Sequence, residues 1–383
     1  MKELAGLYRD ELLNNVIPFW LNHSIDREYG GYLTSLDRDG SVFDTDKWTW
    51  MQGREVWMFA TLYNKVEKRR EWLDASIQGA EFLNKYAHNE EGYYFCLNRQ
   101  GQPLVQPYNI FSNCFPAMGY GALAVALPDS EYPKLTKTTF DLYLSRRDNP
   151  KGRYNKIVPG ARPLKSFAIT MMLSNMALEM EASLGSAYVD ELVKGLAKDI
   201  LGTYYKPEFG CILEQVGADG SFVDSYDGRV LSPGHACEAM WFLMDVGVRL
   251  GDKVLIRQAA DIVLKSLERG WDKEFGGIFY YMDVKGKYPL WLDCDQKHWW
   301  VHLESLIACA KAFHLTGDEQ FKDWFMKLHD YTWKHFKDPE YPEWFGYLNR
   351  RGEILFPLKG GKFKGCFHLP RALLQIWRIL ESL

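Results

Sequence analysis

Two histidines, His235 and His368, each stand at the start of a long amphipathic segment. The first lies in the sequence Ser-Pro-Gly-His-Ala-Cys-Glu and the second in Gly-Cys-Phe-His-Leu-Pro-Arg. Imidazole titrates near neutral pH, so two imidazoles facing one carbon atom can remove a proton from one side and return one to the other. The pair therefore indicates proton transfer at a single carbon, provided that the fold brings the two side chains together.

The neighbours of each histidine matter, because a lone histidine on an apolar helix is more often a packed core residue than a reactive one. Glu238 follows His235 by three residues, and Arg371 follows His368 by three, which places each pair on one helix face. Glu304 lies within an apolar segment, where an unpaired carboxylate is costly to bury. We interpret Glu304 as either functional or ion-paired.

Metal and phosphate motifs are weak or absent in the sequence. His235 with Glu238, and His302 with Glu304, could chelate a metal, but the HExxH pattern is missing. The sequence also has no GxxxxGK[ST] phosphate loop and no nucleophile elbow. We therefore expect no metal in the site. The glycine-rich basic segment 360–365 fits a lid, an anion contact or a plain turn.

A sixfold repeat must position these residues. Segments that combine an aromatic residue with glycine recur around Gly31, Gly92, Gly152, Gly210, Gly277 and Gly346, at steps of 61, 60, 58, 67 and 69 residues. A near-constant step of this size marks one repeated supersecondary unit. Each segment is predicted to form a short hairpin, and several units carry a second turn signal at Asp39-Gly40, Gly101, Asp219-Gly220 or Gly352.

Between the hairpins the apolar period changes from 2 to 3.6 residues, which predicts helices. These lie near 2–21, 52–67, 71–87, 110–127, 131–145, 166–183, 187–203, 233–250, 253–269, 298–315, 318–337 and 366–382. Twelve helices in six pairs predict an all-α (α/α)6 barrel with short β-hairpin loops at one end, forming a single domain over 1–383. An open α-solenoid is the alternative.

In such a barrel the second helices of all six units run in one direction, so their N-terminal ends converge on one mouth. Helix N-termini favour anionic groups, which suits an enediolate-like intermediate. The polar or flexible side chains that fall in the first halves of these helices are Arg54, Asn113, Met172, Asn175, His235, Glu238, His302, Glu304, His368 and Arg371.

Composition limits the partners. A net charge of −4 gives no electrostatic footprint for nucleic acid, and no apolar run is long enough to span a membrane. Seven cysteines without a CxxC motif, together with the absence of a signal-peptide pattern, predict reduced thiols in a cytoplasmic protein. Aromatic residues make up 15% of the chain, which fits a well-filled core, a carbohydrate cleft, or both.

At these motifs the chain resembles the N-acylglucosamine 2-epimerase family, also called renin-binding proteins. The matching segments fall in order along nearly the whole chain: 52–54, 108–112, 162–164, 171–175, 233–235, 297–304 and 364–371. The resemblance implies an (α/α)6 barrel that interconverts N-acetylglucosamine and N-acetylmannosamine. It also implies a homodimer that needs no cofactor for the chemistry.

The resemblance also implies roles for individual residues. His235 and His368 would be the acid and base, with Glu304, Arg54 and Arg371 completing the catalytic site. Some members of the family depend on ATP as an effector that is not consumed, and a basic run here resembles the segment proposed to bind it. From their positions at the mouth we also expect substrate contacts from Asn113, Asn175, Glu238, Trp300 and His302, with a packing role as the alternative for His302. The ATP segment that the resemblance implies contains Lys151, Arg153, Lys156, Arg162 and Lys165, and a solvated cationic loop is the alternative.

Other functions stay open at this point. Cellobiose 2-epimerases and mannose isomerases are relatives that carry a histidine in the third repeat, whereas segment 171–175 here has none. His298 stands where relatives often carry an apolar residue. An (α/α)6 glycoside hydrolase would need two carboxylates across a cleft, for which Glu238 and Glu304 are the candidates. A non-catalytic binding protein would need no paired histidines.

Overall fold

The computed structural model describes residues 1–158 and 160–383, and helices alternate between two layers along this part of the chain. The inner helices are α3 (Thr49–Lys65), α5 (Phe111–Ala126), α7 (Phe167–Glu179), α10 (Pro233–Leu250), α12 (Trp299–Thr316) and α14 (His368–Ser382). The outer layer contains α1 (Ala5–Glu11), α2 (Ile17–His23), α4 (Arg70–Tyr86), α6 (Tyr132–Ser145), α9 (Ser186–Asp199), α11 (Lys253–Gly270) and α13 (Glu319–His335). The short helix α8 (Glu181–Leu184) follows α7.

The two layers differ in how they are buried, and this difference follows from their sequences. In α12 every residue from Trp299 to Ala312 is buried, because this helix is apolar almost all round. The outer helix α13 buries only one face, which includes Phe321, Phe325 and Leu328. The predicted (α/α)6 architecture is confirmed. The first predicted helix is divided, since a wider helical turn over Leu12–Val16 separates α1 from α2.

Short antiparallel strands join neighbouring units at one end of the barrel. They are β1 (Ser35–Leu36), β2 (Val42–Asp44), β3 (Lys47–Trp48), β4 (His88–Asn89), β5 (Gly92–Tyr93), β6 (Cys96–Leu97), β7 (Pro103–Val105), β8 (Leu164–Ser166), β9 (Tyr205–Lys206), β10 (Cys211–Ile212), β11 (Gln215–Gly217), β12 (Val230–Leu231), β13 (Met282–Asp283), β14 (Lys297–His298), β15 (Tyr347–Leu348) and β16 (Ile354–Phe356). A strand just before an inner helix pairs with the next unit: β3 with β6, and β14 with β15.

Buried aspartates tie the units together at these strands. Asp26, Asp272 and Asp338 occupy equivalent positions, and each accepts two backbone N–H groups from its own turn. Each also pairs with a lysine and with an arginine from another unit, in the sets Asp26–Lys47–Arg99, Asp272–Lys297–Arg350 and Asp338–Lys359–Arg38. The last set joins the sixth unit to the first, so the ring is closed rather than open.

Two details of the predicted repeat are wrong. The segment around Gly152 forms a single 3-10 turn, Gly152–Tyr154, rather than a hairpin. In the sixth unit the residue equivalent to Gly277 is Glu343, not Gly346: the bridge Lys337–Trp344 matches the bridge Trp271–Ile278, and Glu343 has φ +64° where Gly277 has +74°.

Glu343 adopts this left-handed backbone at a cost that its side-chain contacts offset. Its carboxylate accepts hydrogen bonds from Trp20 Nε1 at 2.8 Å and from Lys364 Nζ at 2.6 Å, all within the core. The glycine pattern therefore gave the wrong residue in the sixth unit, because a glutamate held by a buried ion pair stands there in place of glycine.

The seven cysteines are not paired with one another, and six of them are buried. Within residues 1–158 and 160–383, no helix combines the length and apolar character required to cross a membrane.

Candidate active site

A cavity of about 1060 Å³ opens where the inner helices begin. All six inner helices contribute side chains near their N-terminal ends: Trp50 and Arg54 from α3, Phe111 and Phe115 from α5, Ala168, Met171 and Met172 from α7, His235 and Glu238 from α10, Trp299 and Trp300 from α12, and His368 from α14. The predicted convergence on one mouth is confirmed. The cavity thus collects residues that lie more than 300 positions apart in the chain.

His235 and His368 both line this cavity and contact the same indole. The ring centroid of Trp300 lies 4.9 Å from that of His235 and 5.8 Å from that of His368. Ser232 caps α10 by accepting a hydrogen bond from the backbone N–H of His235, and Pro233 follows it at the first helical position. These local features fix the start of α10 and hence the position of the first histidine.

His235 is paired with a carboxylate that the sequence analysis did not single out. Its Nδ1 atom lies 3.0 Å from each carboxylate oxygen of Glu214. Burial by itself lowers the pKa of His235, but the negative charge and hydrogen bond of Glu214 outweigh it, and the pKa is raised above 6.5. Glu214 directly follows the buried segment 211–213. An acidic residue immediately after a buried apolar segment was the sequence feature that could have identified it.

His368 lies in a different electrostatic environment. Its Nδ1 atom is 2.7 Å from Oε1 of Glu304, and Arg371 Nη2 donates to that same oxygen at 2.7 Å and to Glu238 Oε1 at 2.5 Å. Burial is the largest cause of a pKa well below 6.5 for His368, and the cationic Arg371 lowers it further. The two histidines therefore favour opposite protonation states: His235 holds a proton more readily than His368.

The carboxylates of Glu238 and Glu304 form an ion-pair cluster with Arg371. Together with His368 they offer ligand atoms within 4.8 Å of one another, which is close enough to hold a metal ion. The guanidinium of Arg371, however, already bonds to both carboxylates. Trp241 Nε1 also donates to Glu304, at 2.8 Å. One of the two negative charges that would attract a cation is thus balanced by a side chain of the protein, and both carboxylates already have donors.

Arg54 places an unpaired cation in the cavity wall. Its guanidinium stacks on Phe115 at 3.9 Å and lies 5.0 Å from Phe367, and no carboxylate of the described residues lies within ion-pair distance of it. Burial lowers the pKa of Arg54 to about 10, so the group stays protonated at neutral pH. A cation without an acidic partner in a cavity is well suited to bind an oxygen that becomes negative during a reaction.

Three of the predicted substrate contacts lie outside the cavity wall. Asn113 Oδ1 accepts the backbone N–H of Tyr93 at 3.1 Å, and His302 Nε2 accepts that of Ile278 at 2.9 Å. Both side chains therefore hold hairpins in place, and the interpretation of them as substrate contacts is corrected. Asn175 is buried on α7, one helical turn beyond Met171 and Met172, and does not itself line the cavity. Each inner helix has one side toward the cavity and another toward its hairpin, which spacing alone does not distinguish.

The basic segment between α6 and α7 does not line the cavity either. Lys151, Arg153, Lys156, Arg162 and Lys165 are all exposed to solvent. Arg153 lies 3.1 Å from the carboxylate of Glu91, and the other four offer positive charge at the surface. Residue 159, within this segment, lies outside the described residues.

Loop aromatics complete the cavity and were not identified from the sequence. Tyr280, Tyr281 and Trp291 line one wall, where Trp291 stacks on Tyr281 with ring centroids 5.3 Å apart. Aromatic rings can pack against the C–H faces of sugars, so this wall fits the carbohydrate cleft that the composition allowed. Their positions in loops explain why helical spacing gave no signal for them.

The sequence matches a known protein family over most of its length. The model of the family described as N-acylglucosamine 2-epimerase (GlcNAc 2-epimerase) matches residues 31–372. This protein belongs to the N-acylglucosamine 2-epimerase family. The resemblance stated from the sequence motifs is therefore confirmed.

Relatives in the family match along nearly the whole chain. The N-acylglucosamine 2-epimerase of Bos taurus is 39% identical, with 97% of this chain and 90% of that protein covered. The human enzyme of the same name is 36% identical, over 97% of this chain and 89% of that protein. Among solved structures, the cellobiose 2-epimerase from Bacillus thermoamylovorans B4167 matches with a TM-score of 0.85 over all of both chains, at 18% identity, which shows the shared fold.

Proposed function

We propose that this protein is a 2-epimerase that interconverts N-acetylglucosamine and N-acetylmannosamine. One observation carries the proposal: two histidines of opposite protonation preference, His235 and His368, lie in one cavity against the same indole. Titratable groups whose pKa values are pushed apart form a matched acid and base. The names of the relatives that match nearly the full chain support the choice of an N-acyl amino sugar as substrate.

The geometry supports a two-step proton transfer on the open-chain sugar. Neutral His368 takes the C2 proton, and the electron pair moves through C1 onto the carbonyl oxygen to give an enediolate-like intermediate. Arg54, which has no acidic partner of its own, stabilises the negative oxygen. Protonated His235, held by Glu214, then delivers a proton to the other face of C2 and restores the carbonyl. In the reverse direction the two histidines exchange roles.

The ion-pair cluster argues against a glycoside hydrolase. A hydrolase places its two carboxyl groups on either side of the scissile bond, with room for substrate between them. Here Glu238 and Glu304 bond to one guanidinium, that of Arg371, so they lie together rather than across the cavity. The paired side chains that face the cavity are histidines, which suit proton transfer at a carbon atom rather than hydrolysis of a glycosidic bond.

The test is direct conversion of the amino sugar. Incubation with N-acetylmannosamine, followed by proton NMR, should show N-acetylglucosamine accumulating until the two reach a constant ratio. The same ratio should be reached from N-acetylglucosamine. Cellobiose and mannose serve as controls for the related epimerases and isomerases. Turnover of one of these sugars, without turnover of the amino sugar, would overturn the proposed substrate.

We also propose that the enzyme is a cytoplasmic homodimer and that ATP activates it without being consumed. The free cysteines support a reducing compartment, and the exposed basic segment 151–165 supports an anion contact. Sedimentation should give twice the 44.5 kDa chain mass.

Added ATP should raise the rate without forming ADP, and replacing Lys156 and Lys165 with glutamine should remove that response. An unchanged response would place the effector elsewhere.

A further inference from the structure

His298 forms part of the cavity wall but has no role in the proton transfer. It lies just before α12, where β14 pairs with β15, and is only 6% exposed. Its imidazole stacks on the ring of Tyr280, with centroids 3.9 Å apart and an angle of 25° between planes. The edge of Tyr347 packs against it at 5.3 Å. The ring is thus held rigidly between two aromatic side chains.

The imidazole of His298 has no hydrogen-bond partner among the described residues. Its Nε2 atom is shut off from solvent without a partner, and burial lowers the pKa of the ring to about 4, so the imidazole is neutral. Only its backbone carbonyl is used, by His302 Nδ1 at 2.7 Å. Buried polar groups are normally paired, because desolvation without a hydrogen bond is unfavourable. A neutral imidazole in a cavity wall therefore offers hydrogen bonding to a ligand.

The position of His298 points to the part of the substrate that it meets. Tyr280 contacts both His298 and Trp300, the indole that lies against the two catalytic histidines, with a centroid distance of 5.9 Å to Trp300. Trp299 likewise lies beside both His298 and His368, with ring centroids 6.5 and 6.1 Å apart. A single aromatic ring therefore separates His298 from the place where C2 of the substrate must lie. The N-acyl group is attached at C2, so it is the substituent that extends from this place into the neighbouring wall.

We propose that His298 strengthens the recognition of N-acylated sugars in this protein by donating a hydrogen bond to the carbonyl oxygen of the N-acyl group. This inference rests on the proposed function. When Nδ1 carries the proton, the enclosed Nε2 atom has only a lone pair. The Nδ1–H group is then left to donate a hydrogen bond to the ligand. The rings of Tyr280 and Tyr347 flank the imidazole and suit the methyl group of an acetamide. A neutral donor between apolar surfaces matches a neutral amide better than it matches a charged group.

The experiment compares two substrates that differ in one acceptor atom: N-acetylmannosamine and its N-thioacetyl analogue, whose sulfur is a poor acceptor. For the unaltered enzyme, kcat/KM should be about tenfold lower on the thioacetyl sugar than on the acetyl sugar. A tenfold change corresponds to about 1.4 kcal/mol, which is the contribution expected of one hydrogen bond. His298→Leu should lose about tenfold on the acetyl sugar and little on the thioacetyl sugar. His298→Asn, which keeps an N–H donor, should recover part of the loss.

Two controls separate specificity from structure. His314→Leu changes an exposed histidine on α12, the helix that follows His298, and should leave the rates on both substrates unaffected. The melting temperature of His298→Leu should stay close to that of the unaltered protein. An equal loss on both sugars, or no loss, would overturn the inference while the proposed function stands. An unaltered enzyme that converts neither sugar would overturn the proposed function and this inference with it.

Discussion

The Nδ1 atom of His368 lies 2.7 Å from Oε1 of Glu304, an oxygen that also accepts a hydrogen bond from Arg371. The charge of Glu304 is therefore shared, and His368 has no carboxylate to itself. His235, in contrast, has Glu214 as its own partner at 3.0 Å. Burial lowers the pKa of both imidazoles; at His368 the cations Arg371 and Arg54 lower it further, whereas at His235 the charge of Glu214 raises it above its ordinary value.

Replacing either His235 or His368 with asparagine should reduce kcat by about 10² to 10⁴, because general acid-base assistance is lost. Asparagine keeps polarity and approximate size, so the circular dichroism spectrum should be unchanged. His314→Asn, at an exposed position, is the matched control and should keep full activity. Substantial turnover in both active-site variants would contradict the two-histidine mechanism.

Glu214→Gln should move the basic limb of the kcat/KM profile to lower pH, because the carboxylate raises the pKa of His235. The histidine pair works while it holds one proton, and that proton is lost as pH rises through the pKa of His235. The acid limb reflects His368, which has no contact with Glu214, and should stay in place. Glu208→Gln, an exposed change in the same hairpin, should leave the profile unaltered.

Epimerisation in D2O should place deuterium at C2 of the product as it forms. The histidine that removes the proton lies on the wrong face to return it, so the other histidine supplies a proton exchanged with solvent. Proton NMR of the product C2 position, sampled before equilibrium, measures this directly. Product formed from protiated sugar with its C2 hydrogen retained would indicate bond cleavage or transient oxidation instead.

Dialysis against a strong chelator should leave the rate unchanged. The cluster of Glu238, Glu304 and His368 is compact enough for a metal, but both carboxylates already bond to Arg371, whose charge balances one of the two. Rates before and after dialysis, with back-addition of Mg²⁺, Mn²⁺ and Zn²⁺ in turn, provide the measurement. A loss of activity that one of these ions restores would refute this expectation.

Asp338→Asn should lower the free energy of unfolding by about 3 kcal/mol, because it leaves the buried Lys359 without its carboxylate and weakens the contact to Arg38 that closes the ring. Urea unfolding measures the change. Asp10→Asn removes an exposed pair with Arg9 and should change stability by less than about 0.5 kcal/mol. Equal effects from the two substitutions would show that the buried junction is not important for stability.

The repeat, the helical periods and the two histidine motifs could be recognised in the sequence, because each depends on residues near one another in the chain. A step of about sixty residues predicts the six units, and the change in apolar period predicts the helix pairs. The common direction of the inner helices then follows from alternation. This was enough to place His235 and His368 at one mouth.

The sequence did not distinguish the sides of the inner helices. These helices are apolar nearly all round, so periodicity carries no information about which side faces the cavity. Asn113 and His302 therefore looked like substrate contacts, although their side chains bind the hairpin N–H groups of Tyr93 and Ile278.

Partners that are distant in sequence were decided by the tertiary structure. Glu214 reaches His235 from the bend between β10 and β11, and Glu238 on α10 meets Arg371 on α14 across 133 positions of the chain. Glu343 holds a backbone conformation usual for glycine, since its buried contacts with Trp20 and Lys364 offset the strain. Local patterns thus determined the units and their order. Long-range electrostatic pairing, which no local pattern encodes, decided which side chains are charged, paired or free to act.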